Sequence, residues 1–181
     1  MSNKMSTIIS VEGNIGTGKS TLVQMLKENL ENNRDVVFLQ EPVDMWNTIK
    51  DKDGETILSK FYADQDKYAF SFQMMAYISR ISMLKKAVKA NPGKTIITER
   101  CVFTDRNVFA KMLYDSGKIE EVNYQIYLQW FDEFIEDIPV SGIVYVKSNP
   151  EVSHLRVIKR KREGEVIPLQ YLEECHRYHE D

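Results

Sequence analysis

The chain has 181 residues and a formal net charge of −3, with 43% apolar and 28% charged residues. This length fits one domain, residues 1–181, with a hydrophobic core of its own. The small net charge gives no support to non-specific nucleic-acid binding. No run approaches the ~18 apolar residues that a membrane helix needs. We therefore expect a globular protein with neither a nucleic-acid nor a membrane partner.

The cysteines and the N-terminus point to a reducing compartment. Cys101 and Cys175 are isolated and form no CxxC pair, which favours a cytoplasmic location without disulfides. The opening residues, MSNKMS, contain neither an apolar stretch nor an Arg-rich segment, so neither a signal peptide nor a transit peptide is expected. Residues 1–6 are predicted to be disordered.

Strand-like and helical patterns alternate along the chain. Short apolar runs predict buried strands at residues 7–13, 35–42, 94–100 and 142–148. Helical spacing predicts helices at 19–30, 68–89 and 122–134, and two more follow, one near Pro150 and one from Ile167. Fully apolar strands alternating with helices favour a parallel sheet covered on both faces. The predicted fold class is α/β, with three layers.

The first strand leads into a phosphate-binding loop, Gly13-x-x-x-x-Gly18-Lys19-Ser20. Strand, Gly-rich turn and helix is the context that this motif requires, which argues against a chance match. Backbone N–H groups and the helix N-terminus bind phosphate, Lys19 reaches the terminal phosphates, and the Ser20 hydroxyl binds Mg²⁺. The predicted nucleotide-binding residues are Gly13, Asn14, Ile15, Gly16, Thr17, Gly18, Lys19, Ser20 and Thr21.

Other phosphate-loop classes fit the sequence less well. Asp51–Gly54 has the D-x-x-G spelling of a GTPase, but it follows no strand and is predicted to be a surface turn, and no N-K-x-D occurs. The third strand ends in Glu99-Arg100, whereas ATPases usually end this strand in Asp. The Glu99 carboxylate could hold Mg²⁺ directly or through water. The Arg100 guanidinium could stabilise phosphate charge or position a base.

Glu41 stands at the end of the second strand. Ligands of parallel sheets lie beyond the carboxyl ends of the strands, so Glu41, Glu99-Arg100 and the phosphate loop should share one crevice. A kinase that acts on a hydroxyl needs a base there, and Glu41 is placed for that role with Arg100 to orient it. The alternative is that Glu41 only caps a turn before Pro42.

Five segments in order resemble the deoxyribonucleoside kinases of the deoxycytidine/deoxyguanosine/deoxyadenosine kinase type. They are EGNIGTGKST, EPVDMW, FSFQMMAYISRI, ERCVFTDRNVF and IPLQYLEECHRYHE. The resemblance implies a three-layer P-loop kinase fold with a lid segment. It also implies transfer of the γ-phosphate of ATP to the 5′-hydroxyl of a deoxynucleoside, in nucleotide salvage, with Mg²⁺ and in a homodimer.

The resemblance assigns roles to individual residues. It implies that Glu41 is the general base, with Arg100 and Lys19 as the other catalytic residues, and that Ser20 and Glu99 are associated with the metal. Tyr62 would contact the sugar 3′-hydroxyl, Gln73 would pair with the base edge, and Phe72 and Phe109 would sandwich the base. The implied substrate-binding residues are Glu41, Trp46, Leu58, Tyr62, Phe72, Gln73, Arg80, Arg100, Asp105, Phe109 and Glu165.

Helix geometry supports a polar pocket. Gln73, Ala76 and Arg80 share one helix face, and the neighbouring Phe72 and Met75 argue that this face is not simply a solvent-exposed stripe. The Arg80 and Asp105 pair resembles the members that accept deoxycytidine and purine deoxynucleosides. Thymidine-accepting members tend to carry smaller or apolar residues at these positions. A preference for deoxycytidine or purine deoxynucleosides over thymidine is therefore expected.

The basic run Lys159–Arg162 has three interpretations: a nuclear-import or nucleic-acid patch, a solvated helix end, or the lid. The resemblance favours the lid, with Arg156, Arg160 and Arg162 on the phosphates, where guanidinium groups bind oxygens in pairs. The lid is about one residue shorter than in typical members. Its acidic pair is split by Gly164, and the sugar role is assigned to Glu165.

Several alternatives stay open. A thymidylate-type monophosphate kinase would need further cations, with Arg106 the nearest candidate, and an inactive nucleotide-binding homologue is a third class. Residues 122–134 form either a dimer interface or plain core packing. His176 and His179 are expected to lie on an exposed helix and not at a metal. Family members usually continue with a fifth strand and a last helix, so the C-terminal part of the family domain is expected to be absent.

Overall fold

The computed structural model describes residues 5–135, 138, 140–162 and 164–181. Its sheet consists of β1 (Thr7–Glu12), β2 (Val36–Leu39), β3 (Thr95–Glu99) and β4 (Gly142–Tyr145). All pairings are parallel and the order is β2-β3-β1-β4. The β-branched residues of the two central strands are largely buried, which is why these strands read as short apolar runs in the sequence. The α/β prediction is confirmed.

The predicted helices form within a few residues of their expected ends. They are α1 (Lys19–Asn29), α4 (Gln65–Ala90), α7 (Glu121–Ile135), α8 (Pro150–Arg160) and α9 (Leu169–Glu180). The Asp64 side chain accepts a hydrogen bond from the Lys67 N–H and caps α4, and Pro150 occupies the first turn of α8. No helix in the described part of the chain is long and apolar enough to cross a membrane.

Five short helical segments are not predicted from the sequence. They are α2 (Val43–Trp46), α3 (Ile57–Ala63), α5 (Val102–Thr104), a π-helical segment (Asp105–Ala110) and α6 (Lys111–Asp115). Segments this short carry too few residues for a periodic signal. They nevertheless hold Trp46, Leu58, Tyr62, Asp105 and Phe109, which are all predicted site residues.

Helices α4 and α7 pack on each other above the sheet. Tyr77 of α4 is buried with Tyr127 and Phe131 of α7, and its hydroxyl donates to the Phe131 carbonyl oxygen at 3.2 Å. The other face of α7 is exposed, with Trp130 46% exposed and Phe134 38% exposed. One face of α7 therefore packs in the core, and its other apolar face is exposed at the position of the predicted dimer interface.

The described part of the chain begins just before β1. Residues 1–4 of the segment predicted to be disordered lie outside the described residues. Met5 is exposed, whereas Ser6 is buried and its hydroxyl donates to the Asn91 carbonyl oxygen at 2.9 Å. At Ser6 the structure therefore differs from the predicted disorder, because this hydrogen bond ties the chain to the end of α4.

Candidate active site

The carboxyl ends of three neighbouring strands meet at one cavity that opens to solvent. Lys19 of the phosphate loop follows β1, Glu41 lies two residues beyond β2, and Glu99 ends β3. The cavity is also lined by Ile15, Gly16, Trp46, Leu58, Phe61, Tyr62, Phe72, Gln73, Ala76, Arg80, Arg100, Asp105, Phe109, Arg160, Arg162, Glu165 and Tyr171. All eleven predicted substrate-binding residues are therefore brought together, and their individual roles stay predictions.

The phosphate loop is wedged between neighbouring backbone segments. Gly13 has φ +137°, and a β-carbon there would lie 2.3 Å from the Val146 carbonyl oxygen. A β-carbon at Gly16 would lie 2.4 Å from the Ser153 carbonyl oxygen. No larger residue fits at either position, because backbone atoms cannot yield as a flexible side chain can. This packing restricts the shape of the loop.

Asn14 and Arg156 tie the loop to the C-terminal helices. The Asn14 side chain donates to the Leu172 carbonyl oxygen at 2.7 Å and accepts from the Ile15 N–H at 2.7 Å. Arg156 of α8 donates to the Thr17 carbonyl oxygen at 3.0 Å and does not line the cavity. Thr21 is exposed on the first turn of α1. Of the predicted lid arginines, Arg160 and Arg162 thus face the cavity and Arg156 braces the loop.

Lys19 is a buried ammonium that already points into the loop. Its Nζ donates to the Asn14 carbonyl oxygen at 2.6 Å. Burial, with the nearby positive charge of Arg100, lowers the pKa of Lys19 to about 7, against the attraction of Glu41, Glu99 and Glu12. A bound triphosphate would add further negative charge next to the Lys19 amino group and would raise this pKa again.

Ser20 and Glu99 offer a pair of hard oxygen atoms beside the loop. The Ser20 hydroxyl donates to Glu99 Oε1 at 2.7 Å. Mg²⁺ takes oxygen ligands and usually retains several waters, so a hydroxyl and a carboxylate next to the phosphates fit its preferences. The two residues predicted to hold the metal are therefore compatible with it.

The Glu41 carboxylate forms ion pairs with two arginine side chains. Oε1 of Glu41 lies 3.0 Å from Nη2 of Arg80 and 3.4 Å from Nε of Arg100. Burial alone would raise the pKa of Glu41, but the charges of Arg100, Arg80 and Lys19 hold it at about 2. The carboxylate is therefore ionised at neutral pH and able to accept a proton. The alternative interpretation, a turn cap before Pro42, does not account for these two contacts.

Arg80 is the centre of a buried network. Its Nε donates to Asp105 Oδ2 at 2.8 Å, and its Nη1 donates to the Glu99 carbonyl oxygen at 3.0 Å. Together with the contact to Glu41, the guanidinium joins strand ends β2 and β3 to the π-helical segment. Burial raises the pKa of Asp105, and the charge and hydrogen bond of Arg80 oppose that rise. The predicted Arg80–Asp105 pairing is present.

Aromatic rings form the apolar wall of the cavity. Phe72 stacks on Phe61, with ring centroids 4.6 Å apart, and meets Trp46 edge-on at 5.5 Å. Phe109 carries the Arg100 guanidinium 4.8 Å from its ring centroid. Gln73 is buried and also lines the cavity. An apolar slot with a buried amide and charged groups at its end suits a nucleobase attached to a sugar.

The predicted lid folds back on an acidic partner. Arg160 forms an ion pair with Glu165, and Arg162 lies 3.6 Å from Glu165 Oε1. The Glu165 side chain is only 4% exposed and lines the cavity together with Tyr62. Both lid arginines are therefore held over the cavity by Glu165, while Glu163 lies outside the described residues.

Sequence comparison decides the family. A family model described as deoxynucleoside kinase matches residues 9–181. The chain belongs to the deoxynucleoside kinase family. It is 37% identical to the probable deoxycytidine kinase of fowlpox virus over 95% of its length, and that alignment covers 69% of the viral protein.

Two human members of the deoxynucleoside kinase family are about as similar. Mitochondrial thymidine kinase 2 is 36% identical over 97% of this chain and 63% of its own length. Deoxycytidine kinase is 35% identical over 95% of this chain and 73% of its own length. The chain thus spans about two thirds of the length of these relatives, whose names refer to different bases.

Some positions that line the cavity have no clear sequence signal. Phe61 and Tyr171 line the cavity, and Tyr171 meets Tyr62 edge-on at 6.3 Å. Phe61 lies on α3, which is too short for a periodic signal, and Tyr171 has the spacing of an ordinary core residue on α9, so the pattern singles out neither of them. Arg80 has a signal, a charged residue on an apolar helix face, but its contact with Glu41 is visible only in the fold.

The other motifs have structural explanations. Asp51–Gly54 is a turn in which the Asp51 side chain accepts from the Asp53 and Glu55 N–H groups, as predicted for a surface turn. No metal-binding group of His, Cys, Asp and Glu occurs among the described residues. His179 is not simply exposed: its Nδ1 lies 2.7 Å from the Cys175 carbonyl oxygen and its ring packs on Phe109 and Tyr145. Desolvation at this site lowers the pKa of His179 to about 4.

The lowered pKa of Lys19 predicts proton uptake on nucleotide binding. At pH 8 the free lysine is mostly neutral, and phosphate oxygens favour its charged form, so Mg·ATP binding should take up close to ~1 proton. Calorimetric titration in buffers of different ionisation enthalpy measures this number. Lys19→Arg is the matched control because its guanidinium stays protonated throughout and should take up none. Equal uptake by both proteins would contradict the assignment.

Proposed function

We propose that this protein transfers the γ-phosphate of ATP to the 5′-hydroxyl of a deoxynucleoside. The observation that carries the proposal is the placement of Glu41 and the phosphate-loop Lys19 on one cavity with the aromatic slot of Phe72 and Phe109. A base, a phosphate site and a nucleobase slot around one space are the parts that this transfer requires. Family membership supports the same reaction.

Individual residues of the cavity have distinct roles in this transfer. Glu41 accepts the proton of the attacking 5′-hydroxyl, and Arg80 and Arg100 hold its carboxylate in place. Lys19, the loop N–H groups, Arg160 and Arg162 bind the phosphates. Mg²⁺, held by Ser20 and Glu99, would neutralise phosphate charge. Catalysis rests mainly on positioning and electrostatic stabilisation, because phosphate transfer needs little covalent help from the protein.

The buried Arg80–Asp105 pair supports a preference for deoxycytidine or purine deoxynucleosides over thymidine. Both side chains are buried, are paired at 2.8 Å and line the cavity together with Gln73, so they present fixed polar groups to a base. A base with matching donors and acceptors is favoured there, and one that leaves them unpaired is penalised.

Arg106 bears on the monophosphate-kinase alternative. Its guanidinium pairs with Asp132 at 3.1 Å, lies 4.7 Å from the Phe131 ring centroid, and is not among the cavity-lining residues. It is thus engaged away from the site where an acceptor phosphate would need a cation. This placement favours a nucleoside over a nucleoside monophosphate as acceptor.

The proposal is tested with purified protein, Mg²⁺ and ATP against the four deoxynucleosides and their monophosphates. We expect transfer to deoxynucleosides, with thymidine the poorest acceptor. Transfer to monophosphates alone would move the function to the monophosphate kinases. Nucleotide binding without any transfer would make the protein an inactive homologue.

A homodimer and a cytoplasmic location complete the proposal. An apolar groove between α4 and α7 is lined by Ile78, Trp130 and Phe134, and the last two rings stack with centroids 5.7 Å apart. A second copy of the chain would cover this exposed aromatic surface. Both cysteines are buried and free, which suits a reducing compartment.

Trp130→Glu is expected to raise the dimer dissociation constant at least ~30-fold, because it places a charge at the centre of the groove. Light scattering after size exclusion measures the mass. The matched control is Met25→Glu on α1, at a position 54% exposed, which should leave the mass unchanged. A monomeric wild-type protein would contradict the homodimer.

A further inference from the structure

Glu12 is a buried carboxylate that lies outside the cavity and has no role in the transfer described above. Its Oε1 accepts hydrogen bonds from the Ser10 hydroxyl and from the Cys101 N–H at 2.8 Å. Its Oε2 accepts from the Thr104 hydroxyl at 2.6 Å. Among the described residues, no Lys or Arg forms an ion pair with it. Burial alone would raise the pKa of Glu12, but these three hydrogen bonds and the nearby charge of Arg100 lower it, so the carboxylate is held in its charged form by its neighbours.

The neighbouring Arg100 has an unfavourable backbone conformation. Its φ is +62°, and Lys161 is the one other non-glycine residue with positive φ in the described ranges. A residue with a β-carbon keeps such a conformation only when its surroundings hold it there. Three hydrogen bonds do so. Arg100 N–H donates to the Val11 carbonyl at 3.1 Å, the Thr98 hydroxyl donates to the Arg100 carbonyl at 3.1 Å, and Cys101 N–H donates to Glu12.

This left-handed turn aims the Arg100 side chain at the reacting groups. Its Nη1 donates to the Gly13 carbonyl oxygen at 2.7 Å, its Nε lies 3.4 Å from Glu41 Oε1, and its guanidinium rests on Phe109. The next residue, Cys101, turns into the core and is 1% exposed. The hydrogen bond from the Cys101 N–H to Glu12 therefore lies at the point where the chain turns from the cavity, at Arg100, into the core, at Cys101.

We infer that Glu12 is a positioning residue for phosphate transfer: by holding the Cys101 amide it keeps Arg100 left-handed, and so keeps the guanidinium on Glu41 and on the phosphate loop. The inference rests on the proposed function. The length of the Glu12 side chain matters most in this role, because its carboxylate oxygen must reach from the end of β1 to the Cys101 N–H, just beyond the end of β3. Its charge is secondary.

Two variants separate reach from charge. Glu12→Gln keeps the length and an amide oxygen for the Cys101 N–H, and loses the charge. Glu12→Asp keeps the charge and is one methylene too short. We expect kcat within about threefold of wild type for Gln and at least ~10-fold lower for Asp, with KM changed less than about threefold in both. Small displacements of a catalytic group affect the chemical step more than substrate binding.

Hydrogen exchange at the Cys101 amide gives a readout that does not depend on activity. Exchange should be at least ~10-fold faster in Glu12→Asp and unchanged in Glu12→Gln. The reverse order of activity, equal losses in both variants, no loss in either, or failure of both to fold would overturn the inference. An inactive wild-type protein would instead reject the proposed function, and the exchange rates would still decide whether Glu12 holds this turn.

Discussion

Glu41→Gln should lower kcat for phosphate transfer at least ~100-fold and leave the deoxynucleoside dissociation constant within about threefold. The amide keeps the size of the side chain and an oxygen toward Arg80 and Arg100, so the cavity retains its shape. It cannot accept the proton of the attacking hydroxyl. The pKa of Glu41 is held at about 2, so the wild-type carboxylate is ionised throughout the neutral range and the loss should not depend on pH there.

Steady-state assays and a fluorescence titration of Trp46, which lines the cavity, measure the two quantities separately. Asp44→Asn is the matched control, because this carboxylate lies three residues away on α2 and is exposed. Its kcat should equal that of wild type. A Glu41→Gln variant with kcat within threefold of wild type would remove Glu41 from the role of base.

Breaking the Arg80–Asp105 pair should lower the free energy of unfolding more than the other substitutions described. Asp105→Ala leaves the fully buried Arg80 with one carboxylate partner fewer, and loss of one member of a buried ion pair costs about 3–5 kcal/mol. Replacing both, as Arg80→Met with Asp105→Ala, removes the under-paired cation and should recover part of that loss, because Glu41 loses its contact with Arg80 but keeps the one with Arg100. Equilibrium urea unfolding measures both effects.

The same double variant should change base selection. With the fixed charges gone, the kcat/KM ratio of thymidine to deoxycytidine should rise about 10-fold or more. The control is Arg106→Met with Asp132→Ala, which removes a pair of the same chemistry whose side chains are 33% and 65% exposed. That variant should lose less than about 1 kcal/mol and leave the ratio unaltered. A ratio that stays constant in the Arg80–Asp105 variant would refute the proposed preference.

The phosphate-binding part of the site can be predicted from the sequence because its residues are close together in the chain. A strand, a Gly-rich turn, Lys19 and a helix follow one another within β1 and α1, and local sequence dictates each of them. The apolar runs before Glu41 and Glu99 place both residues at strand ends. Their place in the crevice follows because parallel sheets bind ligands beyond the carboxyl ends of their strands. The α/β class, the five main helices and the crevice could all be predicted in this way.

The deoxynucleoside end depended on contacts between distant parts of the chain. Arg80 reaches Glu41 across 39 positions and Asp105 across 25, and Glu12 reaches Cys101 across 89. Phe61 belongs to a helix too short to be predicted from the sequence, and Tyr171 to one that the sequence presents as an ordinary core element. Periodicity shows which face of an element is buried, but it does not show which partner covers that face. The sequence alone therefore determined the fold class and the phosphate site. Tertiary packing decided the arginine network, the aromatic slot and the turn at Arg100, because these arise only when separate elements are brought side by side.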